Sequence, residues 1–287
     1  MFGGILRSRS RPHVADKDLR YKAKVLKATL DEPVDADYRS DIEARFLHRY
    51  LSRGSVVLDV GANAGAYATV VEDAVGPRCL VIFEPLPRLV AQLRVRFPAS
   101  RVLPVALSDR SGRAKIRVPS IAGKSYSTRA TLNDHDEPGQ SGFEEVEIEL
   151  ETLDAAVADL ALKRIDVVKI DVEGHELEVI DGARGSLERF QPVVLIEIET
   201  RHHAFPITDV FARLEECGLR GHYFDSLTMT VRPVADFDPR DQRLEDLEAR
   251  EFIRYPNNFW FVPPESERDF LDRAEHFLSD FEPLEAS

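Results

Sequence analysis

The stretch Leu58-Asp59-Val60-Gly61-Ala62-Asn63-Ala64-Gly65-Ala66-Tyr67 constrains this chain more than any other. It follows the apolar Ser55-Val56-Val57 and leads into a segment with helical spacing that runs to Ala74. Strand, glycine turn and helix in that order form a βα unit of an open sheet, and such a turn often cradles a nucleotide-like ligand. The unit repeats downstream. Cys79-Leu80-Val81-Ile82-Phe83 reads as a strand, Arg88 to Phe97 as a helix and Arg101 to Val105 as a third strand. Alternating strands and helices imply a parallel sheet with helices on both faces.

The rhythm breaks once and then resumes. Ala114 to Val118 and Glu145 to Leu150 alternate as strands, and residues 120 to 142 between them are rich in Gly, Ser, Asp, Asn and Pro. This reads as a hairpin-like insertion with a long loop, a length that usually serves a site. Lys124, Tyr126 and Arg129 lie in it as candidate substrate-closing residues. Ile165 to Ile170 and Pro192 to Ile198 are further strands, with helices at Glu176 to Ala183 and Thr208 to Cys217. A strand is expected to start at His222, and Asn258 to Val262 is expected to be the last. The expected organisation is a helical arm over 1–53, whose first twelve residues form a basic tail, a sheet domain over 54–264 and an acidic helical tail over 265–287.

The formal net charge of −13 argues against nucleic acid as a partner, because binding it requires a cationic surface. No run approaches the ~18 apolar residues of a membrane span, and the N-terminus lacks the apolar core of a secretory signal. Cys79 and Cys217 give neither a disulfide framework nor metal spacing, and fit packed thiols in a reducing, cytoplasmic setting.

Which ligand the glycine turn selects follows from charge. A dinucleotide site calls for G-x-G-x-x-G, whose second glycine admits a pyrophosphate. Here the spacing is G-x-x-x-G, Gly61 and Gly65, with Asn63 between them. Asp59 at the strand end repels a phosphate and attracts an ammonium group. S-adenosylmethionine carries an α-ammonium and a sulfonium and no phosphate, so the turn favours it over a nicotinamide dinucleotide. Glu84 ends the next strand, where a carboxylate accepts hydrogen bonds from ribose hydroxyls. Ser108 and Asp109 follow the third strand, on the expected adenine edge.

A second cluster, Lys169-Ile170-Asp171-Val172-Glu173-Gly174-His175-Glu176, lies beyond another strand end, where open sheets bind ligands. Asp171, Glu173 and His175 are the candidate catalytic groups, and His175 titrates near neutral pH. Glu176 opens a helix, where an acid suits the dipole. Glu197 sits among apolar neighbours, so it is paired or lines the substrate site. Asp171, Glu197 and a histidine could ligate a metal, but no compact ligand motif supports one, and none is expected.

Together, VVLDVGANAGAY, FEP, ALSD, TLD and VVKIDVEGHELEVIDGA resemble, in this order and spacing, the FkbM family of S-adenosylmethionine-dependent methyltransferases, over roughly residues 54 to 200. NNFWFVP resembles that family's C-terminal end. The resemblance implies a seven-stranded Rossmann-like class I sheet, its last strand antiparallel. It implies methyl transfer, mostly to hydroxyl oxygens of sugars and other natural products. It suggests cofactor roles for Asp59, Gly61, Asn63, Gly65, Glu84, Ser108 and Asp109. It suggests active-site roles for Asp171, Glu173 and His175, with His175 or Asp171 as base and Glu173 orienting. The expected partner is a small-molecule or glycan acceptor, and a homo-oligomer is left open. The rival readings are transfer to carboxylate, nitrogen or carbon, a binding module without turnover, and a nicotinamide dehydrogenase.

Overall fold

The structure, a computed structural model, describes residues 16–31, 42–121, 123–132, 140–243 and 255–281. The basic tail expected over the first twelve residues lies outside the described residues. Two helices precede the sheet: α1 (Asp16–Leu26), continued by a π-helical turn (Lys27–Asp31), and α2 (Ile42–Tyr50). The opening motif then forms β1 (Val57–Val60) and α3 (Ala66–Val75), followed by β2 (Leu80–Phe83), α4 (Pro87–Arg96) and β3 (Arg101–Leu103).

The expected third strand is split. Pro104 has no amide to donate to a ladder, so the chain leaves the main sheet after Leu103. It re-forms as β4 (Val105–Leu107), which pairs with a second sheet. That sheet contains the insertion: β5 (Gly112–Ile121), β6 (Lys124–Ser125) and β7 (Gln140–Glu151), in the order β4-β7-β5-β6. The β5–β7 pair is antiparallel, as hairpin-like alternation required.

The βα rhythm resumes with α5 (Leu153–Asp159), β8 (Val167–Ile170), α6 (Glu176–Asp181), α7 (Arg184–Phe190), β9 (Val193–Glu197) and α8 (Thr208–Glu216). The helix expected over Glu176 to Ala183 is α6, and a second helix, α7, follows it. They separate at Gly182, where any Cβ would overlap the Ser108 carbonyl. Asp154 of α5 then caps α7, accepting from the amides of Gly185 (2.9 Å) and Ser186 (2.6 Å). The chain ends in β10 (Arg220–Asp225), β11 (Thr230–Pro233), β12 (Asn258–Val262) and α9 (Glu267–Leu278).

The main sheet has eight strands rather than seven, in the order β11-β10-β12-β9-β8-β1-β2-β3. β9, β8, β1, β2 and β3 run parallel, and β12 inserts antiparallel between β9 and β10. The extra strand is the edge strand β11. It returns through a tight turn in which the Asp225 carboxylate accepts from the amides of Leu227 (3.0 Å) and Thr228 (3.2 Å).

Alternation along the strands builds two cores. Leu58, Val60, Val168, Ile170, Val194 and Ile196 pack with α5, α6, α7 and α8. Val57, Val167, Val193 and Leu195 pack with α2, α3, α4 and α9. In the second core Phe46 of α2 meets Phe224, Trp260, Phe270 and Phe277 at centroid distances of 5.2, 5.3, 5.5 and 5.3 Å. The acidic C-terminal helix therefore packs on its own sheet. No described helix is long and apolar enough to cross a membrane. Truncating Phe46→Ala removes the ring that joins α2, the sheet and α9. Urea unfolding should show a loss of about 3–5 kcal/mol, while Leu19→Ala on the exposed side of α1 should change stability by less than about 0.5 kcal/mol.

Candidate active site

The sheet's carboxyl edge is held together by close backbone approach. Gly61 (φ +80°) lies so near the carbonyl of Asp171 that a Cβ would overlap it, which lets the ends of β1 and β8 converge. A Cβ on Gly65 (φ +83°) would come 2.7 Å from the Phe97 ring and 2.8 Å from Leu93. Both glycines of the motif are thus demanded by packing of the chain on itself. Asn63 between them is also left-handed (φ +47°). Its amide donates to Glu84 Oε2 (2.8 Å), and the Leu86 amide donates to Glu84 Oε1 (2.9 Å). Glu84 therefore ties the glycine loop to the loop after β2. Burial pushes its carboxyl up to about 7, against the pull of those two amides.

Sheet register then places four charges on one face. Asp59 and Lys169 are direct partners across β1 and β8. Two residues on, Asp171 and Glu197 project from the ends of β8 and β9 toward the same side. The Lys169 ammonium donates to Asp171 Oδ2 at 2.6 Å and lies 4.6 Å from the Tyr67 ring centroid. Lys169 is 2% exposed. Burial acts to lower its pKa, but Asp171, Asp59 and Glu197 reverse that and keep it above the usual lysine value. Asp59 is wholly buried beneath the glycine turn, and desolvation pushes its carboxyl up to about 6, against the pull of Lys169. Glu197 is raised well above the carboxylate range, by burial and by the charge of Asp171.

The loop after β8 carries the second motif. Glu173 (φ +52°) and Gly174 (φ +96°) are both left-handed and turn the chain sharply into α6. Glu176 Oε1 accepts from the Gly174 amide (2.9 Å), and its Oε2 lies 3.0 Å from His203 Nε2. Glu173 Oε2 lies 3.3 Å from His202 Nε2. Burial, followed by the charges of Asp171, Glu197 and Glu199, raises the Glu173 carboxyl well above its ordinary value. Glu199 is the exception. It accepts from Arg201 (2.7 Å) and Tyr255 (2.9 Å), and these bonds outweigh burial and hold it below the usual range. Asp171, Glu173, Glu176, Glu197, Glu199 and His202 line one small inner chamber.

His175 is half-buried against the third-strand loop. Its Nε2 lies 3.0 Å from Ser108 Oγ and its Nδ1 lies 3.5 Å from Glu178 Oε2. Burial lowers its pKa, so the ring is neutral at neutral pH. Ser108 Oγ also donates toward Asp109 Oδ1 (3.1 Å), which in turn pairs with Arg110 (2.8 Å).

Beside the inner chamber lies a cleft with about 80 Å³ of free interior volume. Gly61, Asn63, Glu84, Asp171, Glu173 and His175 line it, with apolar walls from Leu86, Val105, Ala106 and Leu107. Asp59, Gly65 and Ser108 stand behind this lining, and Asp109 faces outward. Glu197 lines the inner chamber instead. The insertion reaches the cleft through other residues than expected. Ile116, Ser127, Ala130 and Leu132 line it, whereas Tyr126 and Arg129 do not. Tyr126 is 38% exposed. Lys124 pairs with Ile121 through its backbone, and its side chain lies outside the described set. The loop is pinned across the cleft. Thr131 Oγ1 donates to the Glu173 carbonyl (2.8 Å), and Ser127 Oγ lies 3.5 Å from Asn63 Oδ1.

Residues 59–220 match the methyltransferase FkbM domain family. The chain belongs to that family. Among curated relatives, the 2-O-methyltransferase NoeI of Sinorhizobium fredii is 31% identical over 144 residues, covering 47% of this chain and 59% of NoeI. The AMB antimetabolite synthetase AmbE of Pseudomonas aeruginosa is 29% identical over 176 residues, 49% of this chain and 8% of AmbE. The chain therefore spans under two thirds of either relative. A crystal structure of the FkbM methyltransferase from Methylobacillus flagellatus aligns with a TM-score of 0.43 and 12% identity, covering 86% of this chain and 59% of that one. Another, of an S-adenosylmethionine-dependent O-methyltransferase from Thermotoga maritima, aligns with a TM-score of 0.41 and 11% identity, covering 84% of this chain and 70% of that one.

FkbM methyltransferases use S-adenosylmethionine, and the cleft suits it. Glu84 presents a carboxyl group after β2, Leu86, Val105, Ala106 and Leu107 supply apolar walls, and Asp171 and Glu173 add acidic groups suited to a cationic ligand. Sequence reasoning passed over Lys169. The available signal was a lysine inside Val167-Val168-Lys169-Ile170, a run too apolar to hold an unpaired charge. Lys169→Met should cost about 3–5 kcal/mol at pH 7, because Asp59, Asp171 and Glu197 lose their shared counter-ion. Without it the folded-state pKa values of Asp59 and Glu197 rise further. A carboxyl raised on folding stabilises at low pH and loses that contribution as pH rises. Urea unfolding should therefore show a smaller deficit at pH 5.5 than at pH 7.

Proposed function

We propose that the protein transfers a methyl group from S-adenosylmethionine to a hydroxyl oxygen of a sugar, glycoside or other natural-product acceptor. The observation that carries this reading is that the carboxylates of Asp171 and Glu173 line the same cleft as Gly61, Asn63 and Glu84. One carboxylate is locked on a buried ammonium, and the other is pushed toward proton affinity. The name of NoeI, a 2-O-methyltransferase, supports oxygen as the target.

When bound, S-adenosylmethionine supplies a methyl group already activated by its sulfonium. Glu84 accepts from the ribose hydroxyls, and Leu86, Val105, Ala106 and Leu107 bury the adenine. Glu173 would take the proton of the acceptor hydroxyl, the oxygen to which bound S-adenosylmethionine would supply its methyl group. Burial raises the Glu173 carboxyl pKa, which favours its taking up a proton. Asp171, fixed by Lys169, orients the hydroxyl. His175 has both nitrogens turned to Ser108 and Glu178, so in this reading it positions the loop rather than acting as the base. Asp59 and Gly65 shape the glycine turn from behind, Asp109 holds Ser108, and Glu197 keeps Lys169 charged. Ser127, Ala130 and Leu132 wall the acceptor, and Tyr126 and Arg129 meet the distal part of a larger one.

The reading is tested by mass spectrometry of products over hydroxyl, amino and carboxyl acceptors. Methyl ethers, formed together with S-adenosylhomocysteine, are expected, and products methylated only on nitrogen or carboxylate would overturn it. Glu173→Gln should lower kcat by about 10²–10⁴-fold while S-adenosylhomocysteine binds as before.

The Glu84 contact has its own signature. Ribose hydroxyls bind the ionised carboxylate, and the free protein's carboxyl titrates at about 7. S-adenosylhomocysteine affinity should weaken by up to about tenfold per pH unit below that point and level off above it. Glu84→Gln should bind more weakly and lose the slope. A wild-type affinity that is flat from pH 5.5 to 8 would rule out the contact.

A further inference from the structure

The N-terminal helix α1 lies outside the family match, which begins at Asp59, yet it reaches the glycine loop. The link is Arg96, at the last position of α4 and 8% exposed. Its Nη1 donates to the carbonyl of Ala64, the residue between the left-handed Asn63 and Gly65. Its other nitrogens are taken by α1. Nε lies 3.2 Å and Nη2 3.0 Å from Asp18 Oδ1, and Asp18 is 2% exposed. The Tyr21 ring stacks on the guanidinium, with its centroid 3.7 Å from Cζ. One helical turn of α1 therefore grips the edge and one face of Arg96, leaving Nη1 aimed at the loop.

A second path runs in parallel. Lys22 pairs with Glu72 of α3 and places its ammonium 4.1 Å from the centroid of the Phe97 ring. Phe97 is the ring that a side chain on Gly65 would strike. α1 thus bears on both Ala64 and Gly65 through Arg96, the last residue of α4, and Phe97, which follows it.

The charge pattern explains why this is more than a packed helix end. An arginine at a helix C-terminus is ordinarily satisfied by the helix's own carbonyls and by water. Here the guanidinium is withdrawn from water, and its charge is met by one aspartate from a distant segment. A buried charge of this kind is expensive to misplace, so the position of the Ala64 carbonyl follows the position of Asp18. The loop contains three left-handed residues, Gly61, Asn63 and Gly65, and an outside clamp removes conformations it would otherwise visit.

We infer that α1 is a working part of the cofactor site: Asp18 and Tyr21 position Arg96, and Arg96 holds the glycine loop in the shape that receives S-adenosylmethionine. These are positioning residues. The inference rests on the reading of the cleft as the cofactor site.

The test is calorimetric titration of S-adenosylhomocysteine into the full chain, with steady-state kinetics over S-adenosylmethionine. Asp18→Asn keeps the shape and removes the charge, and Tyr21→Leu removes the stacked ring. Both should weaken S-adenosylhomocysteine by about tenfold and raise KM for S-adenosylmethionine, with kcat at saturation within about twofold of wild type. Tyr21→Phe keeps the ring and should bind as wild type does, as should Lys17→Ala on the exposed face of α1. Hydrogen exchange gives a readout that general destabilisation would not. The amides of Asn63 to Gly65 should exchange faster in Asp18→Asn, while those of β9 and β12 are unchanged. Wild-type affinity in both Asp18→Asn and Tyr21→Leu would overturn the inference. So would a fall in kcat with KM unchanged. Failure of the wild type itself to bind would overturn the cofactor reading, and this inference with it.

Discussion

A lysine ammonium inside the sheet is the interaction on which the rest of this edge depends. Lys169 sits where an apolar side chain would normally complete the core, and three carboxylates gather about it from β1, the end of β8 and β9. An unpaired ammonium there would cost several kcal/mol, and so would each carboxylate without it. The four groups are therefore one unit. It fixes the Asp171 carboxylate at the cleft and lets Asp59 sit wholly buried beneath the glycine turn. Further carboxylates can then collect in the inner chamber. Glu173 and Glu197 respond by holding their protons more tightly, whereas Glu199, with Arg201 and Tyr255 beside it, does the opposite.

The same edge explains why the two motifs of the sequence belong together. They lie more than a hundred residues apart, but parallel pairing of β1 with β8 puts their C-terminal ends side by side. Gly61 closes the gap by admitting the Asp171 carbonyl. Glu84, from the strand on the other side of β1, fastens the loop from its open flank. A site assembled this way needs little from its loops beyond their starting points, because the strand ends supply the direction.

Much of this was legible from pattern alone. Apolar runs ending in Asp59, Glu84 and Asp171 located three strand ends, and the interrupted rhythm located the insertion. What escaped needed contacts that a local pattern does not carry. The role of Lys169 depends on its register partner Asp59, and the partnership of His175 with Ser108 joins loops 67 residues apart. Tyr126 and Arg129 were singled out by chemistry, but Ser127, Ala130 and Leu132 are the residues of that loop that line the cleft. Pro104 was a readable signal of the split strand. β11 was harder, since its four residues are half-exposed and acquire strand geometry from pairing with β10.

The family match ends at Arg220, but the sheet does not. β12 supplies the neighbour of β9 on the side away from β8, and its Asn258 stands opposite Glu197. Without β12, β9 would present a free apolar edge, although Val194, Leu195 and Ile196 are fully buried. On the face that carries Lys169, Tyr67 of α3 lies over the ammonium, and α2 and α9 close the adjoining core around Phe46. Water that reached Lys169 from that side would weaken its hold on the three carboxylates by raising the local dielectric. Elements outside the matched region thus set the electrostatics of residues inside it. The motif fixes which groups meet, and the flanking helices and strand fix how dry that meeting place is.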